Sequence, residues 1–280
     1  MRWMELAKAM GRALQEDRVL LVAAGVTFYL ILALFPAIAA FVALYGLVLD
    51  PARLSAHADA LQGTVPPAAA EVVTGQLQAL SAQRSGSLGL GAVLGLLVAL
   101  WSATGGTKAI LEGLNIAHGL TESRTFLQLN LRALGFTLGL MALLVLMIGL
   151  LAVLPAVLAQ VQLGQVGEIL AIVLRWPVIG LVVAFALAVL YRWGPDRPPP
   201  PWRWPTWASA IAAIGWLIAS ALFAVYVGSI ADFGASYGAM ATPIAVLLWL
   251  WVSMIVVLMG AELDAELEQA SPLPPGRRQG

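Results

Sequence analysis

The sequence predicts an all-α polytopic membrane protein: six transmembrane helices, an outer helical hairpin and a cytoplasmic N-terminal amphipathic helix. Three observations predict it. Of 280 residues, 61% are apolar and 11% charged, with a mean hydropathy of +0.90, where a soluble domain has about half apolar and about a quarter charged. Six apolar segments each reach the roughly 20 residues that a helix needs to cross a hydrocarbon core of about 30 Å. The cations then fall unevenly about those segments.

The predicted spans are 19–49, 88–107, 133–158, 169–191, 207–230 and 240–261, together forming one membrane domain over 19–268. With the N-terminus inside, 12 of the 15 Lys and Arg face the cytoplasm, and Arg53, Arg84 and Arg175 face outward. That bias satisfies the positive-inside rule, and the inverted topology breaks it. Both termini are therefore expected in the cytoplasm of a bacterial cell, in the inner membrane.

Each element has its own local reason. Residues 1–18 place Trp3, Leu6, Met10 and Leu14 on one helical face, with Arg2, Glu5, Arg12 and Glu16 elsewhere. This pattern suits a helix lying on the membrane surface. The first apolar run, from Val19, is too long for a cleavable signal core. Pro36 near its middle removes a backbone bond and is an expected kink. Residues 50–87 read as the outer hairpin. Asp50-Pro51 resembles a helix start, and Ala69, Val73, Leu77 and Leu80 follow Pro66-Pro67 at helical spacing. The loop "YRWGPDRPPPPWRWPTW" (191–207) combines a stiff polyproline spacer with tryptophans and arginines suited to the interface. Residues 269–280 read as a flexible cytoplasmic tail.

Composition also excludes. A net charge of +0 argues against a nucleic-acid partner, which needs surplus cation. The absence of cysteine removes disulfides, thiolate metal sites and thiol nucleophiles. The two histidines, His57 and His118, fall on opposite sides of the predicted membrane, so they read as loop or interface residues. No Ser/His or carboxylate-pair constellation stands out, and the expectation is a protein that is not an enzyme and needs no cofactor or metal. No ionisable residue sits mid-span, which disfavours a proton or sodium relay of the usual kind.

Polar residues gather elsewhere. If "WSATGGTKAILEGLN" (101–115) stays helical, Thr104, Gly105, Lys108, Glu112 and Asn115 share one face by 3-and-4 spacing. They form a candidate polar path or vestibule, to which Tyr29 of span one and Glu262 of span six are added. Glu262 belongs to "GAELDAELE" (260–268), whose i,i+4 carboxylates repel and call for a cation such as Lys108 or Arg124. Arg175, Asp232 and Tyr237 are candidate outer-side contacts.

Three blocks resemble the YihY / BrkB family of bacterial inner-membrane proteins, once labelled ribonuclease BN. They are "AAGVTFYLILALFPAIAAFVALYGLV" in span one, "LWSATGGTKAILEGLNIAHGL" followed by Arg124, and "SYGAMATPIAVLLWLWVSMIVVLMGAELDAEL" near the end. "YRWGPDR" lies between them, and the order covers nearly the whole chain. Two positions depart from the family pattern: Thr104-Gly105-Gly106, where a second serine and a basic residue are common, and Asp264, where Asn is common. The resemblance implies six spans and a role in transport or in the handling of envelope lipids. The leading functional expectation is thus a transporter or translocator of an amphipathic or anionic envelope-related solute or lipid, with membrane lipids as partners. The alternative is a non-transporting scaffold or assembly factor. Ribonuclease activity is disfavoured, and the sequence leaves the oligomeric state open.

Overall fold

A computed structural model describes residues 11, 16–48, 90–160, 165–200, 206–230 and 238–269. Among them every regular element is helical: α1 (Val19–Val48), α2 (Leu90–Ala117), α3 (Phe126–Gln160), α4 (Gln165–Trp193), α5 (Trp207–Val225) and α6 (Ala241–Gln269). Five of these carry stretches long and apolar enough to cross a membrane, the fourth running three residues beyond α5: Val19–Ile38, Phe126–Met147, Trp176–Trp193, Trp207–Gly228 and Ala241–Glu268. The segment predicted as the second span lies on α2, which is not among those five. Most of the predicted surface helix, the hairpin 50–87, Asp232, Tyr237, His57 and the tail beyond Gln269 lie outside the described residues.

The helices begin and end where local chemistry demands. α1 runs through Pro36. The chain enters α1 through Arg18 with φ of 48°, and the Arg18 carbonyl accepts from Leu21 and Val22. α2 continues past Gly105-Gly106 to Ala117, where Gly119 takes φ of 64° and turns the chain. The Leu120 N–H then bonds the Asn115 carbonyl, closing the helix end as a left-handed glycine permits. α5 starts on Thr206, whose hydroxyl accepts from the Ser209 N–H at 3.2 Å. A short π-helical turn, Tyr226–Ile230, follows it.

The chain packs as two compact units. One comprises Met1–Gly25, Leu111–Arg124 and Ala142–Gly280; the other comprises Val26–Ile110 and Thr125–Met141. In the first, α5 packs along α6 and α4. Gly260 of α6 is the closest point: a Cβ there would lie 2.3 Å from the Tyr191 hydroxyl and 2.5 Å from Ala212 Cβ. Tyr191 instead donates to the Val257 carbonyl at 2.8 Å, which satisfies a buried phenol. The indole N–H groups of Trp216 and Trp249 reach Ser253 and Ser220 across the α5–α6 seam, at 3.0 and 3.3 Å. Such bonds supply partners where lipid offers none. The start of α1 joins this unit: Val19 and Ala23 pack on Leu258, and Trp251 donates to the Leu20 carbonyl.

In the second unit, α2 approaches α1 at Gly106. A Cβ there would stand 2.9 Å from Leu30 Cδ2 and 3.1 Å from Ala33 Cβ, whereas Gly105 faces open space. The departure from the family pattern at Gly106 thus has a packing consequence: only a missing side chain permits this approach without displacing Leu30.

Candidate functional site

Two polar clusters stand out, one in each unit. The first is ionic and is built from three separated stretches. Asn115, 0% exposed near the end of α2, works as a two-sided clasp. Its amide nitrogen donates to Glu122 at 2.9 Å, and its oxygen accepts from the Asp196 N–H at 2.7 Å. Asp196 in turn accepts from the Ser123 N–H and hydroxyl at 2.6 and 2.5 Å. Arg124 completes the loop-to-loop contact. Its Nε meets Asp196 at 3.0 Å, its Nη2 donates to the Gly194 carbonyl at 3.0 Å, and its Nη1 lies 3.4 Å from Glu122. The Arg124 side chain is 9% exposed. Gly194 has no room for a side chain, since a Cβ would sit 2.4 Å from the Leu190 carbonyl and 2.5 Å from Leu114 Cδ1.

Arg197 carries the network on to α6. It donates to Glu268 at 2.9 Å, lies 3.8 Å from Asp264, and approaches His118 Nε2 at 3.4 Å. His118 Nδ1 lies 2.9 Å from the Leu114 carbonyl. A carbonyl only accepts, so that bond assigns the proton to Nδ1 and turns Nε2 toward Arg197 and Asp264. Four carboxyl side chains, Glu122, Asp196, Asp264 and Glu268, thus surround two guanidinium groups. Arg197 Nε has no hydrogen-bond partner. Taking this many charges from water costs several kcal/mol per ion before pairing offsets it, so stability alone is a weak reason for the cluster.

The second cluster is polar but carries a single charge. Lys108 donates to Asn130 Oδ1 at 2.9 Å, and Asn130 donates to the Phe126 carbonyl at 2.6 Å. The ammonium lies 5.4 Å from the centroid of the Trp101 ring, and that ring lies 6.0 Å from Phe126. Two helical turns further along α3, the hydroxyl of Thr137 meets that of Thr107 at 2.8 Å. Thr137 donates its proton to the Ala133 carbonyl, so Thr107 is the donor of the pair. Thr104 bonds the Trp101 carbonyl within its own helix. The described residues of this unit include no carboxylate, so the partners of Lys108 within it are neutral.

The predicted site residues are therefore divided. Thr104 and Lys108 stand in the second unit, Asn115 in the ionic network, and Glu112 is exposed. Tyr29 is 53% exposed and lies edge-on to Phe28. Arg175 lies on α4. The expected pairing of Glu262 with Arg124 does not form, and Lys108, the other expected partner, belongs to the second unit. Arg124 is held by Glu122 and Asp196, Lys108 by Asn130, and buried Glu262 hydrogen-bonds another carboxyl, Asp17. One oxygen of Glu262 has no partner. His118, expected as an ordinary loop histidine, sits inside the network, as do Glu122, Asp196, Arg197 and Glu268, which the sequence did not bring together. Among the described residues no group of three or more His, Asp or Glu side chains is arranged to hold a metal ion.

Apolar helices, tryptophans bonded across helix seams and a charged network confined to loops and helix ends define a polytopic helical membrane protein. The chain matches the profile of the virulence factor BrkB family over residues 10–279, and it belongs to that family. It is 31% identical over 185 residues to the ribonuclease-like protein YfkH of Bacillus subtilis, covering 64% of this chain and 66% of that one. UPF0761 membrane proteins of Albidiferax ferrireducens and Methylibium petroleiphilum are 27% and 26% identical, over 95% and 94% of this chain and 62% of each relative. The chain thus spans about two thirds or less of the length of these relatives. No solved structure matches it. The ribonuclease wording belongs to the name of YfkH.

Proposed function

We propose that the protein is a six-span bacterial inner-membrane transporter or translocator of an amphipathic or anionic envelope-related solute or lipid, with both termini cytoplasmic. The observation that carries this reading is the Arg124–Arg197 network. It ties the loop after α2, the loop after α4 and the end of α6 through charges rather than apolar packing. A buried ionic cluster is a poor stabiliser compared with apolar residues of the same volume, and its best-attested use is to specify one of several arrangements. A transporter needs such a device: a latch that holds in one arrangement and re-forms after opening, without an energetic minimum too deep to leave. In the proposed topology the latch lies at the cytoplasmic end, and its surplus of carboxyl groups gives Arg197 alternative partners.

The second reading, a non-transporting scaffold, is favoured by the absence of ionisable residues in the middle of the spans. Reconstitution separates the two. The purified chain in proteoliposomes is expected to move fluorescent phosphatidylglycerol between leaflets, or an entrapped organic anion outward. Arg197→Gln is expected to change that rate several-fold in protein that still purifies folded, with a melting temperature lowered as far as the lost ion pairs require. A folded protein that moves no probe in either assay leaves the scaffold reading and removes this one.

A further inference from the structure

We infer that Lys108, Trp101 and Asn130 form a binding site for the phosphate-bearing headgroup of an anionic membrane lipid. The inference does not depend on transport: the site would hold its lipid whether or not the protein moves anything. It rests on the membrane placement of α2 proposed above.

Four observations build the site. Among the described residues of its own unit, the ammonium of Lys108 meets neutral groups, the Asn130 amide oxygen and the face of Trp101. These orient a cation without cancelling its charge. The side chain reaches back toward Trp101, two turns nearer the helix N-terminus, rather than onward past the helix end. Lysines near the ends of membrane helices usually extend toward water, so this one is held at the aromatic level. Trp101 and Phe126, 53% and 72% exposed, mark that level as the interface, where aromatic rings sit beside headgroups. Below them, Leu94, Leu97 and Val98 of α2 form an exposed apolar face. Beside Phe126 on α3, Leu127 and Leu131 are exposed as well. A molecule that suits both features has an anionic head for the ammonium and acyl chains for the leucines.

The chemistry of the head follows from the donors. A compact ammonium serves phosphate as a point charge with up to three N–H donors, of which Asn130 occupies one. A zwitterionic headgroup offers the same phosphate but brings its own cation into competition with Lys108. A net-anionic phospholipid such as phosphatidylglycerol is therefore preferred over phosphatidylcholine.

Native mass spectrometry of the detergent-solubilised full chain tests this with three probes: phosphatidylglycerol, phosphatidylcholine and glycerol phosphate. The wild type is expected to retain phosphatidylglycerol at least fivefold better than phosphatidylcholine, and millimolar glycerol phosphate is expected neither to bind nor to displace it. Lys108→Gln is expected to erase that preference, and Lys108→Arg to restore most of it, at melting temperatures matching wild type. Trp101→Leu, which leaves the charge in place, is expected to lower retention at least twofold and serves if the lysine variant folds poorly. Equal retention of the two lipids, or a preference that survives both Lys108→Gln and Trp101→Leu, overturns the inference. Displacement by glycerol phosphate overturns the lipid assignment and leaves a site for soluble phosphate esters. None of these outcomes bears on whether the protein transports.

Discussion

Arg124, in the loop before α3, and Lys108, within α2, are both cations beside polar neighbours, and their surroundings are opposite. Arg124 meets two carboxylates and a backbone carbonyl and is nearly sealed from solvent. Lys108 meets an amide oxygen and an indole face, beside exposed apolar side chains. A guanidinium presents a planar fork that holds several acceptors at fixed angles, so it suits a cross-brace between loops. An ammonium is a point charge on a flexible stem, and neutral partners leave its field intact. One region uses charge to hold the chain to itself. The other keeps charge in reserve for something outside the chain. If that comparison is right, removing charge should damage the fold in the first region and leave it untouched in the second.

The largest effect is expected at Arg124. Arg124→Ala removes the guanidinium that Glu122 and Asp196 both meet and should cost about 3–5 kcal/mol, the range for breaking a buried pair. Thermal or SDS unfolding in detergent measures it. Adding Asp196→Ala should cost less than the sum of the two single changes, because both single changes break the same ion pair. Additive losses would mean that the two side chains act separately and that the network is not a unit.

Next comes a change without charge. Gly260→Ala places a methyl group against Tyr191 and Ala212 where neither has room. Overpacking of this kind costs about 1–3 kcal/mol. It sharpens the comparison, because it shows what apolar packing contributes in the same unit as the ionic network. Glu268→Gln should cost less, roughly 1 kcal/mol or below, since its bond to Arg197 lies at the more exposed edge of the network. A loss at Glu268 equal to that at Arg124 would contradict the view that burial sets the strength of these pairs.

The sequence made the helices legible because an apolar run of 20 or more residues has few other uses. The continuation of α2 past Gly106 was legible too, from the 3-and-4 spacing of its polar residues. What spacing along one helix does not reveal is a partner on another. Asn115 was identified, but its two partners arrive from loops, one of them 81 residues away. Glu122, Arg124, Asp196 and Arg197 each look like loop charges satisfied by water, and the acids of α6 look like a solvated helix end. The available signal was local: two short acid–base clusters, Glu122-Ser123-Arg124 and Asp196-Arg197, in loops that border apolar helices. The error at Glu262 has the same origin, since matching a lone acid to a lone cation ignores the nearer acids that already hold Arg124.

The smallest stability effect is expected at Lys108, and its smallness is the point. Lys108→Gln keeps a donor for Asn130 and a stem over Trp101, so melting temperature should shift by no more than about 0.5 kcal/mol corresponds to, the range for surface substitutions. Within its own unit no carboxylate is left unpaired, because the described residues there include none. If Lys108→Gln instead destabilises the detergent-purified protein as Arg124→Ala does, the ammonium is structural and the contrast between the two regions fails. If stability holds in detergent while added anionic lipid raises the melting temperature of wild type more than that of the variant, the charge acts on a ligand. Binding to the folded state stabilises in proportion to its occupancy, so the difference between the two melting temperatures should grow with the amount of lipid. That dependence is what a lysine braced by an amide oxygen and an indole face predicts, and a structural lysine would not produce it.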